Sequence, residues 1–95
     1  LAPNIASFYD TLGRVQNKLG ESDAAIASFK KAIDLEPNNL EALIGLATAF
    51  TDAGKRDAAA ALLPQIDTLL KARPPLSAPV RRELDALRAT MKASL

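Results

Sequence analysis

Residues 6–37 read ASFYDTLGRVQNKLGESDAAIASFKKAIDLEP, and residues 40–71 read LEALIGLATAFTDAGKRDAAAALLPQIDTLLK, so that small and apolar residues recur every 34 positions. The recurring pairs are Leu12 and Leu46, Gly13 and Ala47, Gly20 and Gly54, and Ala25 and Ala59. A fixed period of this length is typical of a stacked array of helical hairpins. The period therefore predicts an all-α solenoid, a fold that more often binds partners or spaces its neighbours than catalyses a reaction.

The motif within residues 6–37 resembles the tetratricopeptide repeat (TPR). The residues that match the TPR pattern are Tyr9, Leu12, Gly13, Ala25, Phe29, Ala32 and Pro37. Gln16 replaces the second aromatic residue of the pattern, which is expected to loosen one packing site. The second copy is weaker, because Leu43 replaces the first aromatic residue and Lys71 replaces the Pro.

This resemblance implies a single domain over residues 1–95, with its helical hairpins in right-handed superhelical stacking. We expect repeat one over about 6–39, repeat two over about 40–73 and a capping helix over about 78–94. The chain then forms five helices in antiparallel succession and no strand.

The first helix is expected over about residues 5–19, because apolar residues follow the helical period there. This apolar stripe consists of Ile5, Phe8, Leu12, Val15 and Leu19. Gly20 and Gly54 are expected to end the first and third helices in the left-handed conformation. Ser22 or Asp23 is expected to cap the second helix.

The second helix should end before Pro37, which biases its neighbour away from helix. The third helix is expected over about residues 40–53, and the fourth should begin near Asp57. Pro64 lies inside the fourth helix, where it removes one backbone hydrogen bond. The apolar rhythm continues through Pro64, which predicts one kinked helix rather than two.

Small residues mark the crossings within each hairpin: Gly13 is expected to pack against Ala25, and Ala47 against Ala59. Arg88 takes the corresponding place in the last helix, and its long side chain would keep a further helix away. This helix is therefore predicted to cap the array. Its apolar stripe is Val80, Leu84, Leu87 and Met91, and its expected outward charges are Arg81, Arg82, Glu83, Asp85 and Arg88.

The first four residues, Leu1 to Asn4, lie one period before Leu35 to Asn38 and share their Leu-x-Pro-Asn pattern. They resemble the end of a preceding repeat, so we expect the chain to be a piece of a longer array. An N-terminal loop left by processing is the alternative. The stripe of the first helix would be uncovered at this end, which predicts a homodimer through the open face.

The composition argues against several kinds of activity. The chain contains no His and no Cys, which removes thiolate zinc sites and most pairs of nucleophile and base. Glu21 and Asp23 are close in sequence, but acidic residues at the start of a helix are explained by its dipole. We expect neither catalysis nor a cofactor.

The same composition bears on partners. The net charge is +1 without a clustered basic face, so nucleic acid is not an expected partner. No apolar run is long enough for direct membrane insertion. The alanine-rich helices suggest a bacterial source, and no feature of the sequence assigns a compartment.

The resemblance further implies a concave groove lined by the first helix of each repeat. The residues expected on this groove are Ser7, Asp10, Arg14, Asn17, Lys18, Glu41, Ile44, Thr48, Thr51 and Asp52. Chaperone-binding members clamp a terminal carboxylate with Lys and Asn on these helices. Asp10 and Ile44 stand in two of those places, so that specialised activity is not expected. Ile44 is expected to be an exposed apolar spot. A single exposed Ile usually has no function, and the alternative is that it seats a side chain of the partner.

Two functions remain open. The first is a protein–protein interaction module whose groove takes a peptide or a helix of a partner. The second is a structural C-terminal end-piece that caps and spaces a longer repeat scaffold. Strong stabilisation by a ligand would favour the first function, and folding only within a longer array would favour the second.

Overall fold

The computed structural model describes residues 5–72 and 78–93, without the side chains of residues 91–93. Within these ranges the chain forms five helices and no strand, which confirms the predicted all-α class. The helices are α1 (Ile5–Lys18), α2 (Ser22–Leu35), α3 (Leu40–Asp52), α4 (Arg56–Lys71) and α5 (Ala78–Ala93). None of these described helices is long and apolar enough to cross a bilayer.

Short turns join the two helices of each hairpin, and a Gly sets the geometry of both turns. Gly20 has a φ of 82° and Gly54 a φ of 79°, the left-handed conformation that costs Gly little. The N–H of Glu21 then donates to the carbonyl of Gln16 at 2.9 Å, and an equivalent bond closes α3 after Gly54. Both helices therefore end in a Schellman motif, as the two Gly residues predicted.

The short turn also explains why α2 lacks a side-chain cap. Glu21 closes α1 and is at the same time the N-cap residue of α2, and its side chain makes no capping hydrogen bond. The prediction that Ser22 or Asp23 caps α2 is wrong, because the turn ends at Glu21 and both residues lie in the first turn of the helix. Asp23 instead places its charge near the positive end of the helix dipole.

The buried ring of Phe29 packs α2 against both α1 and α3. A methyl group built on Gly13 of α1 would lie 3.0 Å from this ring, and one built on Gly45 of α3 would lie 2.4 Å from it. Gly13 is buried, as predicted, but its nearest neighbour is the Phe29 ring rather than Ala25. The ring therefore occupies space that only Gly leaves free on the two adjacent helices.

Gln16 makes a hydrogen bond at the position where the TPR pattern has an aromatic residue. The hydroxyl of Ser28, which is buried, donates to Oε1 of Gln16 at 2.6 Å. This bond joins α1 to α2 and satisfies a polar group that would otherwise be costly to bury. The expected loosening at Gln16 is thus offset by a polar contact.

The second hairpin packs through small side chains in the predicted way. Ala47 of α3 and Ala59 of α4 are both fully buried in one apolar cluster. Pro64 lies inside α4, which continues from Arg56 to Lys71 as one helix. The sequence prediction of one helix rather than two is confirmed.

Helix α5 lies against α3 and joins the apolar cluster that α3 and α4 form. Val80, Leu84 and Leu87 are buried there, as predicted, whereas the Met91 side chain lies outside the described residues. Four of the five charges predicted to face outward are exposed, and Glu83 is partly buried. Two of the five form ion pairs. These pairs are Glu83 with Arg14 of α1, and Arg88 with Asp67 of α4.

Candidate partner-binding groove

Two adjoining depressions run along the surface between α1, α3 and α5, and together they are called the groove below. The larger has a volume of about 390 Å³ and the smaller about 140 Å³, and Thr48 and Glu83 line both. The other residues lining the groove are Arg14, Asn17, Lys18, Phe29, Thr51, Asp52, Pro79, Ala86, Leu87 and Thr90. The surface of the larger depression is mainly apolar, and Phe29 and Pro79 are among its lining residues.

Six of the ten residues expected on the groove line it: Arg14, Asn17, Lys18, Thr48, Thr51 and Asp52. Ser7 and Glu41 line a separate depression of about 490 Å³ beside the turn between the repeats. Asp10 lies next to Arg14, with a mostly buried side chain. Ile44 is fully buried, so the expectation of an exposed apolar spot there is wrong. The physical reason is α5, whose apolar residues join Ile44 in one cluster.

Arg14 is the central cation of the groove, and acceptors surround its guanidinium. Its Nε lies 3.3 Å from Oδ1 of Asp10, and Nη1 donates to the carboxylate of Glu83. Its Nη2 donates to the backbone carbonyl of Glu41 at 2.9 Å. The guanidinium also lies 5.8 Å from the centre of the Phe29 ring, within the range of a cation–π interaction. Arg14 therefore joins α1 to α3 and α5.

Asp10 is the described group whose ionisation is most clearly perturbed. Burial raises the pKa of the Asp10 carboxyl above its ordinary value, and the charges of Glu41 and Glu83 add to this effect. Arg14 acts in the opposite direction, because its charge favours the ionised carboxylate. Because the pKa of Asp10 is raised, ionising this carboxyl costs more free energy in the folded protein than in water, even though the Arg14 cation is close by.

Polar groups of α1 and α3 form the far side of the groove. Nδ2 of Asn17 donates to Oδ2 of Asp52 at 2.9 Å, which fixes the orientation of the amide. Its other atom, Oδ1, is buried and has no hydrogen-bond partner among the described residues. Thr48 and Thr51 donate their hydroxyls to carbonyls of their own helix, at 3.0 Å and 2.9 Å. Asp10 Oδ1 is the second buried side-chain acceptor that makes no hydrogen bond to the described residues, although Nε of Arg14 lies 3.3 Å from it.

Sequence reasoning missed six of the residues that line the groove: Phe29, Pro79, Glu83, Ala86, Leu87 and Thr90. Phe29 fits the core pattern of α2, and nothing in that pattern indicates that its buried ring lies beside the larger depression. Pro79 and Glu83 belong to α5, whose docking on α3 rather than its composition brings them to the groove. No group of acidic residues within the described ranges could hold a metal ion.

Comparison with known proteins agrees with this architecture. A family model described as "Tetratricopeptide repeat" matches residues 17–89, which is more than half of the chain. The chain belongs to the tetratricopeptide repeat family. This family has a non-catalytic fold that binds other proteins, so the chain is a protein–protein interaction module.

Two relatives match the chain over part of its length. Tetratricopeptide repeat protein 8 of Caenorhabditis elegans is 35% identical over 57 residues, which cover 60% of this chain and 11% of that protein. The PEX5-related protein of Homo sapiens is 38% identical over 61 residues, which cover 63% of this chain and 10% of that protein. The matched part of the chain therefore spans about a tenth of the length of these relatives.

Proposed function

We propose that this chain binds a segment of a protein partner in the groove between α1, α3 and α5. The observation that carries the proposal is the larger of the two depressions of the groove, which has a volume of about 390 Å³, a mainly apolar surface and the polar side chains of Asn17 and Thr48 among its lining residues. Sites of this kind bind by apolar contact and use a few polar groups to orient the bound segment. Experiment must identify the partner and determine whether its bound segment is an extended peptide or a helix.

Selection of peptides from a displayed random library, followed by amide chemical-shift mapping on the labelled protein, tests this proposal. We expect the selected peptides to shift the amides of Asn17, Thr48 and Thr51. Shifts confined to the outer surfaces of α2 and α4 would show that the partner binds elsewhere.

A matched pair of variants sharpens the test. Thr48→Trp places a large side chain in the groove and should abolish binding of the selected peptides. Thr68→Trp is the control, because Thr68 is exposed on α4 and makes the same hydroxyl bond to its own helix as Thr48 does. Equal loss of binding in both variants would contradict the groove. Substitution of Arg14 is less suitable, because that residue also holds α5.

The structural end-piece remains a second candidate, since α5 covers one side of the array with its buried apolar stripe. We also propose that the protein self-associates through the apolar side chains exposed on α1. Ile5, Phe8 and Val15 of α1 are exposed by 58%, 60% and 49%, and Leu19, which directly follows α1, by 68%. Exposed apolar surface of this kind commonly marks an interface.

A further inference from the structure

Helix α5 covers part of the surface that the sequence analysis expected to be open to a partner. Ile44, which was expected to be exposed there, is fully buried in a cluster with the apolar stripe of α5. Glu83 of α5 reaches across the same surface and pairs with Arg14 of α1. The groove is therefore what α5 leaves open of a larger surface on α1 and α3.

Helix α4 lacks the apolar residues with which α2 packs against α3. Ile26 and Ile33 of α2 pack in clusters that contain residues of α3. One period later, α4 carries Ala60 and Asp67, and both are exposed. Within the described residues, the backbone of α5 accordingly lies closer to α3 than to α4. This difference accounts for the position of α5 over α3.

Few interactions of the described residues hold α5 in this position. The buried side chains of its described part are Val80, Leu84 and Leu87. Its two ion pairs, Glu83 with Arg14 and Arg88 with Asp67, are partly exposed, and pairs of this kind contribute little to stability. Elements with few buried apolar contacts open locally at a lower free energy than global unfolding requires. Release of α5 also breaks no contact among α1, α2, α3 and α4.

We propose that α5 regulates the groove by covering the surface around Ile44, and that the partner segment is an amphipathic helix that takes the place of α5 on α3. This inference rests on the proposed function, since it names the regulation and the partner of the same groove. The apolar residues of such a helix follow the spacing of Val80, Leu84 and Leu87, at positions i, i+4 and i+7, as in other helices that bind in apolar grooves. The apparent affinity is then the intrinsic affinity multiplied by the fraction of molecules in which α5 is released.

A capped peptide with the sequence of residues 78–93 is the probe, because it carries the apolar stripe of α5. Its binding to the full chain is followed by fluorescence anisotropy. We expect weak binding to the unaltered chain, because the tethered α5 competes at a high effective concentration. The matched control is the same peptide with Leu84→Asp, which should not bind. Equal binding of the two peptides would overturn the inference.

Leu84→Ala in the full chain favours release of α5 by removing a buried contact. Because truncation of a buried Leu is strongly destabilising, we expect the probe peptide, which keeps Leu84, to bind about tenfold more tightly or better. Amide chemical shifts of α1 and α2 check that the other helices remain folded. Unchanged affinity in a folded variant would overturn the inference.

The two ion pairs of α5 provide a second test that leaves the apolar core unaltered. Glu83→Gln together with Arg88→Gln removes both pairs without a change in net charge, and it should tighten binding of the probe peptide about two- to fivefold. The matched control is Arg82→Gln together with Asp85→Asn, because both residues are exposed on α5 and neither forms an ion pair with the described residues. Equal affinities of the two double variants would contradict the role of α5.

The library-selected peptides separate failure of this inference from failure of the proposed function. If they shift the amides of Thr48 and Thr51, but every variant of α5 binds the probe peptide as the unaltered chain does, the groove binds and only the role of α5 is wrong. If the selected peptides bind on the outer surfaces of α2 and α4, the groove itself is wrong, and this inference fails with it.

Discussion

At the scale of single residues, the contact of Phe29 with Gly13 and Gly45 decides how closely three helices approach. Added methyl groups would lie 3.0 Å from the ring at Gly13 and 2.4 Å from it at Gly45. Gly-to-Ala substitution within a helix otherwise stabilises it by roughly 0.5–1 kcal/mol, so the two sites separate steric cost from helix propensity.

We expect Gly45→Ala to lower the free energy of unfolding by about 1–3 kcal/mol, as overpacked cores do. Gly13→Ala should have a much smaller effect, because a shift of a few tenths of an ångström relieves its contact and the helix gains from Ala. Urea denaturation followed by circular dichroism measures both. Equal effects at the two sites would show that the Phe29 ring can move away from Gly45.

Single residues also show which packing contacts the repeat pattern can predict and which it cannot. Gly13 could be identified from the repeat, because a small residue recurs there as Ala47. Gly45 could not, because its counterpart one period earlier is Thr11, which is exposed. Ile44 was expected on the surface for a related reason: its burial depends on α5, and no pattern within α3 indicates that α5 covers it.

At the scale of helices, Pro64 is the described residue whose backbone preference conflicts most clearly with the helix in which it lies. It interrupts the hydrogen bonding of α4, yet the helix continues through it. The neighbouring side chains supply the reason, because Leu62, Leu63 and Ile66 pack in the core and hold both halves in place. Tertiary packing therefore overrides a strong local preference.

Pro64→Ala should raise the free energy of unfolding by up to about 3 kcal/mol, since it restores a backbone donor and removes a clash. Pro64 is exposed, so the substitution removes no buried contact. Pro79→Ala is the control: Pro79 lies in the first turn of α5, where its missing N–H costs little. Thermal unfolding of both variants is the measurement, and a gain at Pro79 as large as that at Pro64 would argue against this explanation.

The helix bounds were largely predictable, because Gly20, Pro37 and Gly54 act through local backbone preferences. The capping of α2 was not, because Glu21 belongs to two helices at once. For α5, the sequence predicted that the apolar stripe is buried but not how the helix lies on α3. The partners of Glu83 and Arg88 depend on how α5 lies across α3, which sequence spacing does not specify.

At the scale of the whole molecule, the two faces of the array differ. Phe8 and Val15 are exposed on α1, whereas the residues one period later, Ala42 and Ala49, are fully buried in a cluster with α2. The exposed face of α1 therefore corresponds to the face of α3 that packs against α2. Phe8 and Tyr9 also form an edge-to-face pair there, with ring centroids 5.3 Å apart.

We expect this face to drive concentration-dependent self-association, because two copies can bury it against each other about a two-fold axis. Phe8→Ser should weaken the association, whereas Thr68→Ser, on the outer surface of α4, should not. Sedimentation velocity at high micromolar concentration measures both. A strictly monomeric protein under these conditions would contradict the prediction.

The ion pair between Arg14 and Glu83 joins residues 69 positions apart, on the first and last helices. In a simple repeat array each unit touches only its neighbours, so the two ends fray independently of each other. Here the line of contacts closes on itself, and opening of either end removes a bond from the other. We therefore expect the opening of α1 and the opening of α5 to be coupled, by no more than about 1 kcal/mol for one partly exposed ion pair.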